Sequence, residues 1–249
     1  MRVVRGRADS PTADREATRA LLAEVAETGV PAVRAWTPHR HLAFGRRDAN
    51  EPGYDAAKAA AEANGFPPVE RSVGGRAVAY TGRTVAFASL EPLADARQGL
   101  TERYEAAVDT VVEALGTLGV DARSGEPPDS FCPGDYSVQA SVVGEDVERQ
   151  SVAEGDTERA PVKVAGIAQR VTADAALVAG VVVVTDHEEI AAVLDPVYDA
   201  LGVPFDPGSV GSVAATGGPA DPERVARALE TAIVDGRATS VEELTALEW

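Results

Sequence analysis

The chain has 249 residues, 45% of them hydrophobic, which is long enough to bury a core of its own. Its 40 acidic and 23 basic residues give a formal net charge of -17, which excludes a general phosphate-backbone binder because such a protein needs a positive field. The acidic residues are dispersed and lysine is nearly absent, a composition typical of proteins from salt-adapted organisms.

The predicted elements are a mixture of helices and strands. Apolar residues at helical spacing predict helices over 12–28, 54–64, 101–119, 186–202, 222–236 and 240–248. Runs rich in β-branched residues predict strands over 31–36, 41–45, 76–80, 83–90, 137–143, 162–171 and 176–184. Residues 144–160 are acidic and lack apolar periodicity, so we predict a surface loop there.

Two local features carry specific expectations. Thr81-Gly82 predicts a hairpin between the strands at 76–80 and 83–90, and Pro196 is expected to kink or split its helix. Strands come mostly as neighbours and do not alternate strictly with helices, so the fold class is α+β, with a mixed, largely antiparallel sheet flanked by helices. We expect a single domain over residues 1–249, with the helices from about residue 221 packed on it.

Several function classes are excluded by what the sequence lacks. One cysteine cannot form an intramolecular disulfide, and the three histidines have no zinc-site spacing, so no metal is predicted. The longest apolar run, residues 176–184, is too short to cross a bilayer, and the N-terminus has no apolar stretch of signal-peptide length. We expect a cytoplasmic protein whose partners include neither nucleic acid nor membrane.

The densest cluster of glycine and polar residues is ERSVGGRAVAYTGRT, residues 70–84. Consecutive glycines let backbone N–H groups approach a ligand, and Arg71 and Arg76 could hold a carboxylate or phosphate. A tight turn between strands explains the same pattern, and the stretch is neither a Walker nor a Rossmann fingerprint.

A second candidate is the lone cysteine, Cys132, in SFCPGDYSV at residues 130–138. A thiol in a turn before a strand can be exposed and held still, but a nucleophile needs a neighbouring base or cation. Lys163, one of two lysines, lies in PVKVAGIAQR, on the strand that we expect to pair with the strand after Cys132. The alternative is a buried cysteine that acts only as a small apolar residue.

Three stretches together resemble the biotin/lipoate A/B protein ligase family of lipoate-protein ligases and octanoyl/lipoyl transferases. VRAWTPHRHLAFGRR at 33–47 is similar to a family strand and turn, and RSVGGRAV at 71–78 to the lipoyl-binding loop R-x-S-G-G-x-A-V. VKVAGIAQR at 162–170 is similar to the strand K-x-S/A-G-x-A/S-Q-R, and DPGSVGSV at 206–213 also looks like a family segment. The resemblance implies a catalytic domain like that of class II synthetases and biotin ligases, with an apolar tunnel for an eight-carbon acyl chain.

The resemblance also implies roles for individual residues. Lys163 matches the family's active-site lysine, which contacts the acyl carbonyl as a compact cationic donor. Cys132 matches the cysteine in the C-P-G-x-Y stretch of the amidotransferase branch. The acyl- or lipoyl-binding positions that it implies are Arg71, Val73, Gly74, Gly75, Arg76, Ala77, Tyr80, Gly166 and Ala168.

We therefore expect an acyltransferase of protein lipoylation that moves an octanoyl or lipoyl group to the lysine of a lipoyl domain through a thioester on Cys132. The implied partners are lipoyl-domain proteins, namely the glycine-cleavage H protein and the E2 subunits of 2-oxoacid dehydrogenases. The alternative is an ATP-dependent lipoate-protein ligase with a lipoyl-AMP intermediate. Lipoate or octanoate is the transferred group in both cases, and ATP with Mg is a cofactor only in the second.

Departures from the family pattern leave a third hypothesis open, a non-catalytic homologue that binds lipoyl domains or an acyl ligand. Val73 stands where the family has Ser, and Arg76 where it has a small residue. Tyr80 and Thr81 replace the His-Asp pair common in ligases, and Ala86 replaces an Asn.

Overall fold

The computed structural model describes residues 1–71, 75–143 and 160–244. The helices in this part of the chain are α1 Pro11–Thr28, α2 Tyr54–Ala63, α3 Leu100–Thr117, α4 His187–Leu201 and α5 Pro222–Val234. The strands are β1 Arg2–Arg5, β2 Ala32–Trp36, β3 His41–Phe44, β4 Pro68–Glu70, β5 Val78–Tyr80, β6 Val85–Pro92, β7 Ala122–Ser124, β8 Ser137–Ala140, β9 Val162–Val171, β10 Ala175–Val182 and β11 Ser240–Glu243.

The strands form one large and one small sheet. The large sheet has the order β11-β1-β2-β6-β10-β9-β8-β7, in which β1 runs parallel to β11 and β2 and the other pairs are antiparallel. The small sheet has the order β4-β3-β5, with β3 parallel to β4 and antiparallel to β5. The predicted α+β class with a mixed, largely antiparallel sheet flanked by helices is confirmed.

Local signals in the sequence explain where the helices begin and end. Ser10 accepts the backbone N–H of Ala13 at the start of α1, and Gly29, with φ 69°, ends that helix. Pro196 lies inside α4, which continues without a break from His187 to Leu201, so the helix is not split. The buried residues of α4 that flank Pro196 contribute apolar contacts that offset the missing backbone hydrogen bond.

The hairpin predicted at Thr81-Gly82 is wrong. β5 pairs with β3 in the small sheet, where Tyr80 lies opposite His41, whereas β6 pairs with β2 and β10 in the large sheet. Both edges of β6 are already occupied by other strands, so β5 has no edge there to join. The Thr81-Gly82 turn therefore carries the chain from one sheet to the other.

The helix predicted over 240–248 is wrong in its described part. Residues Ser240–Glu243 form β11, which extends the large sheet next to β1, with Val241 opposite Val3. The edge of β1 presents unpaired backbone groups, and a short strand satisfies them in a way that a helix start cannot. Residues 245–249, and all but the last residue of the loop predicted over 144–160, lie outside the described residues.

Three apolar clusters surround the sheets. The first lies between the large sheet and helices α3 and α5, and the second joins the small sheet to α2 and α4. The third packs α1 against the opposite face of the large sheet. None of the described helices combines the length and apolar character that a bilayer span requires.

Candidate active site

A cavity of about 360 Å³ lies between the large sheet, α1 and the small sheet. Its floor is made of small residues that the strand register places side by side. Ala179 of β10 lies opposite Ala168 of β9, and in the next row Val181 lies between Ala86 and Gly166. Because these side chains are short, the sheet leaves an apolar space under α1 that a ligand can occupy.

One face of α1 forms the opposite wall. The α1 residues that line the cavity recur at a spacing of three and four, and they are Pro11, Asp14, Arg15, Thr18, Arg19 and Leu22. Asp14 forms a buried ion pair of 3.0 Å with Arg34 of β2, whose guanidinium lies 4.2 Å from the ring centre of Trp36. This pair ties α1 to the sheet and sets the height of the cavity roof.

A stacked aromatic pair closes the side of the cavity that belongs to the small sheet. Tyr80 and His41 lie with ring centres 4.5 Å apart and planes nearly parallel, and both line the cavity. Burial raises the pKa of Tyr80 and lowers the pKa of His41, so both rings are held in their neutral forms. The pair therefore presents an uncharged surface to a ligand.

Cys132 lies at the cavity wall in the loop between β7 and β8, with its backbone in the left-handed region at φ 44°. Its sulfur is 3.3 Å from the backbone nitrogen of Arg76 and 3.5 Å from the guanidinium of Arg71. A Cβ on Gly75 would lie 2.9 Å from the sulfur, and Gly75 has φ 90°, so glycine is required there. A cation and an N–H donor beside a sulfur are the groups that stabilise a thiolate or an oxyanion formed next to it.

Lys163 is fully buried and supports the loop that carries Cys132. Its ammonium donates to the Glu126 carboxylate at 3.0 Å and to the carbonyls of Phe131 and Cys132 at 2.8 and 3.1 Å. Burial lowers the pKa of Lys163, and the Glu126 carboxylate opposes this shift. An ammonium has three N–H donors, and these contacts use all of them.

The predicted pairing of the strand after Cys132 with the strand that carries Lys163 is present in the structure. β8 and β9 are antiparallel, with Gln139 opposite Lys163 and a register shift between Val138 and Gln139. Lys163 and Cys132 therefore border the same cavity, although the lysine contacts the backbone of the loop that carries the sulfur.

The other predicted binding positions divide into three groups. Arg71, Tyr80, Gly166 and Ala168 line the cavity. Gly75 lies against the sulfur of Cys132, while the carbonyl of the buried Ala77 accepts a hydrogen bond from the Tyr198 hydroxyl at 3.0 Å. Residues 73 and 74, the predicted Val73 and Gly74, lie outside the described residues.

The side chain of Arg76 forms ion pairs with two carboxylates, Glu51 at 2.8 Å and the fully buried Asp48 at 3.4 Å. Burial raises the pKa of Asp48, whereas the N–H of Gly45, at 2.8 Å, and the Arg76 guanidinium oppose that shift. Arg76 thereby anchors the glycine loop, and its backbone N–H is the group that reaches the sulfur of Cys132.

Two residues of the site were missed by the sequence analysis, Glu126 and Tyr198. Glu126 is one of 40 acidic residues, and Tyr198 occupies an ordinary apolar position in the pattern of α4. Tyr198 accepts the backbone N–H of Cys132 at 2.6 Å. Neither residue has a local signal, because each bonds to a partner distant in sequence, Glu126 to Lys163 and Tyr198 to Cys132.

Comparisons with known proteins identify one family. The lipoyl protein ligase A/B catalytic domain matches residues 11–233. Two octanoyl-GcvH:protein N-octanoyltransferases are similar: that of Exiguobacterium sibiricum is 32% identical over 120 residues, 47% of this chain and 42% of that protein. That of Oceanobacillus iheyensis is 29% identical over 112 residues, 45% of this chain and 40% of that protein. The matches thus span less than half the length of these curated relatives.

Solved structures show the same fold. A lipoate-protein ligase A bound with ATP has a TM-score of 0.71 at 21% identity, covering 97% of this chain and 87% of that one. A bi-partite lipoate protein ligase of Thermoplasma acidophilum, described with its E2 lipoyl domain, has a TM-score of 0.64 at 18% identity and covers 97% and 85%. On the match over residues 11–233, the chain belongs to the family of the lipoyl protein ligase A/B catalytic domain.

Proposed function

We propose that this protein is an acyltransferase of protein lipoylation, which moves an octanoyl or lipoyl group to the lysine of a lipoyl domain through a thioester on Cys132. The observation that carries the proposal is the position of the only cysteine at the wall of an apolar cavity, with the Arg76 N–H and the Arg71 guanidinium beside its sulfur. The names of the two octanoyltransferase relatives support the same reaction class.

The reaction divides into two balanced half-reactions. In the first, the Cys132 sulfur attacks the acyl carbonyl of an acyl-lysine donor, so that a carbon–sulfur bond forms, the carbon–nitrogen bond breaks and the amine leaves with the thiol proton. In the second, an acceptor lysine amine attacks the thioester, the carbon–sulfur bond breaks and the sulfur regains a proton. One amide replaces another, so no nucleotide is consumed.

The contacts around the sulfur suggest how the charge of each tetrahedral intermediate is stabilised. The Arg76 N–H and Arg71 stand within 3.5 Å of the sulfur, close to the place where the oxyanion develops. The family resemblance implies that Lys163 contacts the acyl carbonyl. In this structure its ammonium donates hydrogen bonds to Glu126 and to the carbonyls of the Cys132 loop. We assign it the role of holding the Cys132 loop in place.

The cavity is suited to the transferred group. Its volume falls within the range of roughly 300–1,000 Å³ found for small-ligand pockets, and the rows of alanine and glycine form a flat apolar floor. We place the acyl chain over Ala168 and Ala179, with its carbonyl at Cys132. The neutral Tyr80 and His41 rings then cover the chain from the side.

The rim of the cavity favours an anionic partner surface. Arg19 of α1 and Arg170 of β9 are exposed residues of the cavity lining and form no ion pair with the described residues. In a chain of net charge -17, such a cationic edge is suited to acidic residues around the modified lysine of a lipoyl-domain protein. The glycine-cleavage H protein and E2 lipoyl domains are the partners that we propose.

An ATP-dependent lipoate ligase is the second candidate, favoured by the fold match to a lipoate-protein ligase bound with ATP. Under this reading lipoate is activated as lipoyl-AMP and the thiol of Cys132 has no covalent part in the reaction. The contacts between the Cys132 sulfur and two donors favour the transferase.

Intact-mass measurement distinguishes the candidates. The wild type, incubated with octanoylated glycine-cleavage H protein, is expected to gain one octanoyl group that hydroxylamine removes, while Cys132→Ala gains none. An equal adduct on Cys132→Ala contradicts the thioester. Lipoate-dependent exchange of pyrophosphate into ATP, with no adduct, identifies a ligase, and the absence of both activities identifies a non-catalytic homologue.

A further inference from the structure

We propose that Tyr198 is a positioning residue that holds the backbone of Cys132 in the conformation required for acyl transfer. The inference rests on the proposed function, because it concerns how the sulfur of Cys132 is presented to the acyl carbonyl. It adds a residue of α4, which lies outside every motif singled out in the sequence, to the machinery of the site.

Cys132 has a backbone conformation that it does not adopt by preference. Its φ of 44° lies in the left-handed region, where a side chain with a Cβ is disfavoured, and the following Pro133 further restricts its backbone. Such a residue persists only when its surroundings determine its position from several sides. The contacts of the Cys132 peptide groups are therefore part of the mechanism.

Those contacts hold Cys132 at both ends. The Tyr198 hydroxyl accepts the N–H of Cys132 at 2.6 Å, and the Lys163 ammonium donates to the carbonyl of Cys132 at 3.1 Å. The sulfur is then left facing the Arg76 N–H at 3.3 Å. Loss of either contact frees the residue to relax toward negative φ, which moves the sulfur away from its donors.

Tyr198 also ties the cysteine loop to the glycine loop. Its hydroxyl donates to the carbonyl of Ala77 at 3.0 Å, one residue after the Arg76 N–H that reaches the sulfur. A single hydroxyl thus links the backbone of Cys132 to the backbone next to Arg76. This link helps to set the distance between the Cys132 sulfur and the Arg76 N–H. A hydroxyl can do both at once because it has one donor and two acceptor sites.

The phenol is a rigid and neutral support. Tyr198 is fully buried in the cluster between α2, α4 and the small sheet, and its ring lies 4.9 Å from that of Phe205. Burial raises the pKa of Tyr198 well above its usual range, so the hydroxyl keeps its proton and can donate a hydrogen bond to the Ala77 carbonyl. Helix α4 therefore holds Cys132 through its N–H, while Lys163 of β9 holds it through its carbonyl.

The test compares Tyr198→Phe with Val193→Ala. The first variant keeps the ring and removes only the hydroxyl, whereas the second removes buried volume from the same helix and cluster and leaves the hydroxyl in place. The rate of thioester formation on Cys132 is measured over a range of p-nitrophenyl octanoate concentrations, which gives both its maximum and KM, well below the melting temperature of each variant. We expect Tyr198→Phe to form the thioester at least tenfold more slowly with KM changed less than twofold, and Val193→Ala to keep the wild-type rate.

Hydrogen exchange at the Cys132 amide gives a second readout that does not depend on catalysis. We expect this amide to exchange at least tenfold faster in Tyr198→Phe than in the wild type, and to stay protected in Val193→Ala. A folded Tyr198→Phe protein with wild-type thioester formation, or with wild-type protection of this amide, overturns the inference. If the wild type itself forms no thioester, the proposed function fails, while the exchange measurement still tests the contact.

Discussion

The two sides of the candidate site are built on different principles. The apolar side is a regular sheet surface in which small residues, Ala86, Ala168 and Ala179 among them, are brought into rows by strand register. The polar side is an irregular loop around Cys132, whose carbonyl accepts a hydrogen bond from Lys163 and whose N–H donates one to Tyr198. The first side should respond to changes of volume, and the second to the loss of a single donor or acceptor.

The largest effect is expected from Lys163→Arg on the polar side. A planar guanidinium cannot direct its donors to Glu126, Phe131 and Cys132 as the compact ammonium does, and Lys163 has no exposed surface toward which a larger group can shift. We expect thioester formation to fall by about 100-fold, the size of effect that a displacement of roughly 1 Å at a reacting group has.

The chain offers a matched control in Lys58→Arg. Lys58 is the other lysine, and on the surface of α2 it forms an ion pair of 2.9 Å with Asp55. The same substitution there should leave activity unchanged. Wild-type thioester formation by Lys163→Arg would mean that the polar side does not depend on the shape of its cation.

A smaller effect is expected from Ala168→Leu on the apolar side. The longer side chain would fill part of the floor opposite Ala179, and each CH2 group of the ligand that is displaced into water loses about 0.8 kcal/mol. Displacement of two such groups should raise KM for octanoyl donors about tenfold.

Donor chain length provides the internal check of that prediction. KM for a butyryl donor should stay unchanged in Ala168→Leu, since a four-carbon chain does not reach the filled space. Ala173→Leu, at an exposed position outside the cavity lining, is the matched control. An equal rise in KM for both donors would indicate that the acyl chain does not lie on this floor.

The cationic edge formed by Arg19 and Arg170 should have an effect that depends on salt. The double variant Arg19→Glu/Arg170→Glu is expected to raise KM for an octanoylated lipoyl-domain protein about fivefold in dilute buffer, because rim charges steer a partner without touching the reaction. The rate with p-nitrophenyl octanoate should not change.

Salt should have two consequences in the same experiment. The wild type carries a net charge of -17, so its KM for an acidic partner should fall toward molar salt as screening weakens the overall repulsion. The double variant should converge on the wild type under those conditions, since screening also removes the attraction of the edge. Identical KM values for the two proteins in dilute buffer would argue against docking at this edge.

The smallest effect concerns the pH dependence of stability at His41. Its pKa is lowered by burial, so the unfolded chain takes up a proton before the folded one does. Stability is therefore fully present above the unfolded pKa of about 6.5 and is lost as the pH falls from there toward the folded pKa. The free energy of unfolding of the wild type should fall over this interval more steeply than that of His41→Phe, which keeps an aromatic ring against Tyr80.

Chemical denaturation at several pH values measures this difference. Parallel pH curves for the wild type and His41→Phe would show that the histidine carries no such penalty. Tyr80, the other ring of the stack, does not change its charge in this interval, because its pKa is raised and lies far above it.

Regular elements were predicted closely because their signals are local. The helix expected over 12–28 is α1, Pro11–Thr28, and the strand expected over 162–171 is β9, Val162–Val171. The hairpin predicted at Thr81-Gly82 was wrong for the opposite reason. A turn dipeptide says that the chain reverses there, but which strand β6 accepts as a neighbour depends on β2 and β10.

Sequence by itself determined which chemical groups the site can contain: a single thiol in Cys132, a rare lysine in Lys163, and small residues at alternate positions of β9. Tertiary structure decided what those groups touch. It directs the Arg76 side chain to Asp48 and leaves its N–H for the sulfur, and it brings Tyr198 to the N–H of Cys132. Residue type sets which hydrogen bonds are possible, but a hydrogen bond needs a partner atom within about 3.5 Å, and folding selects that partner from distant parts of the chain.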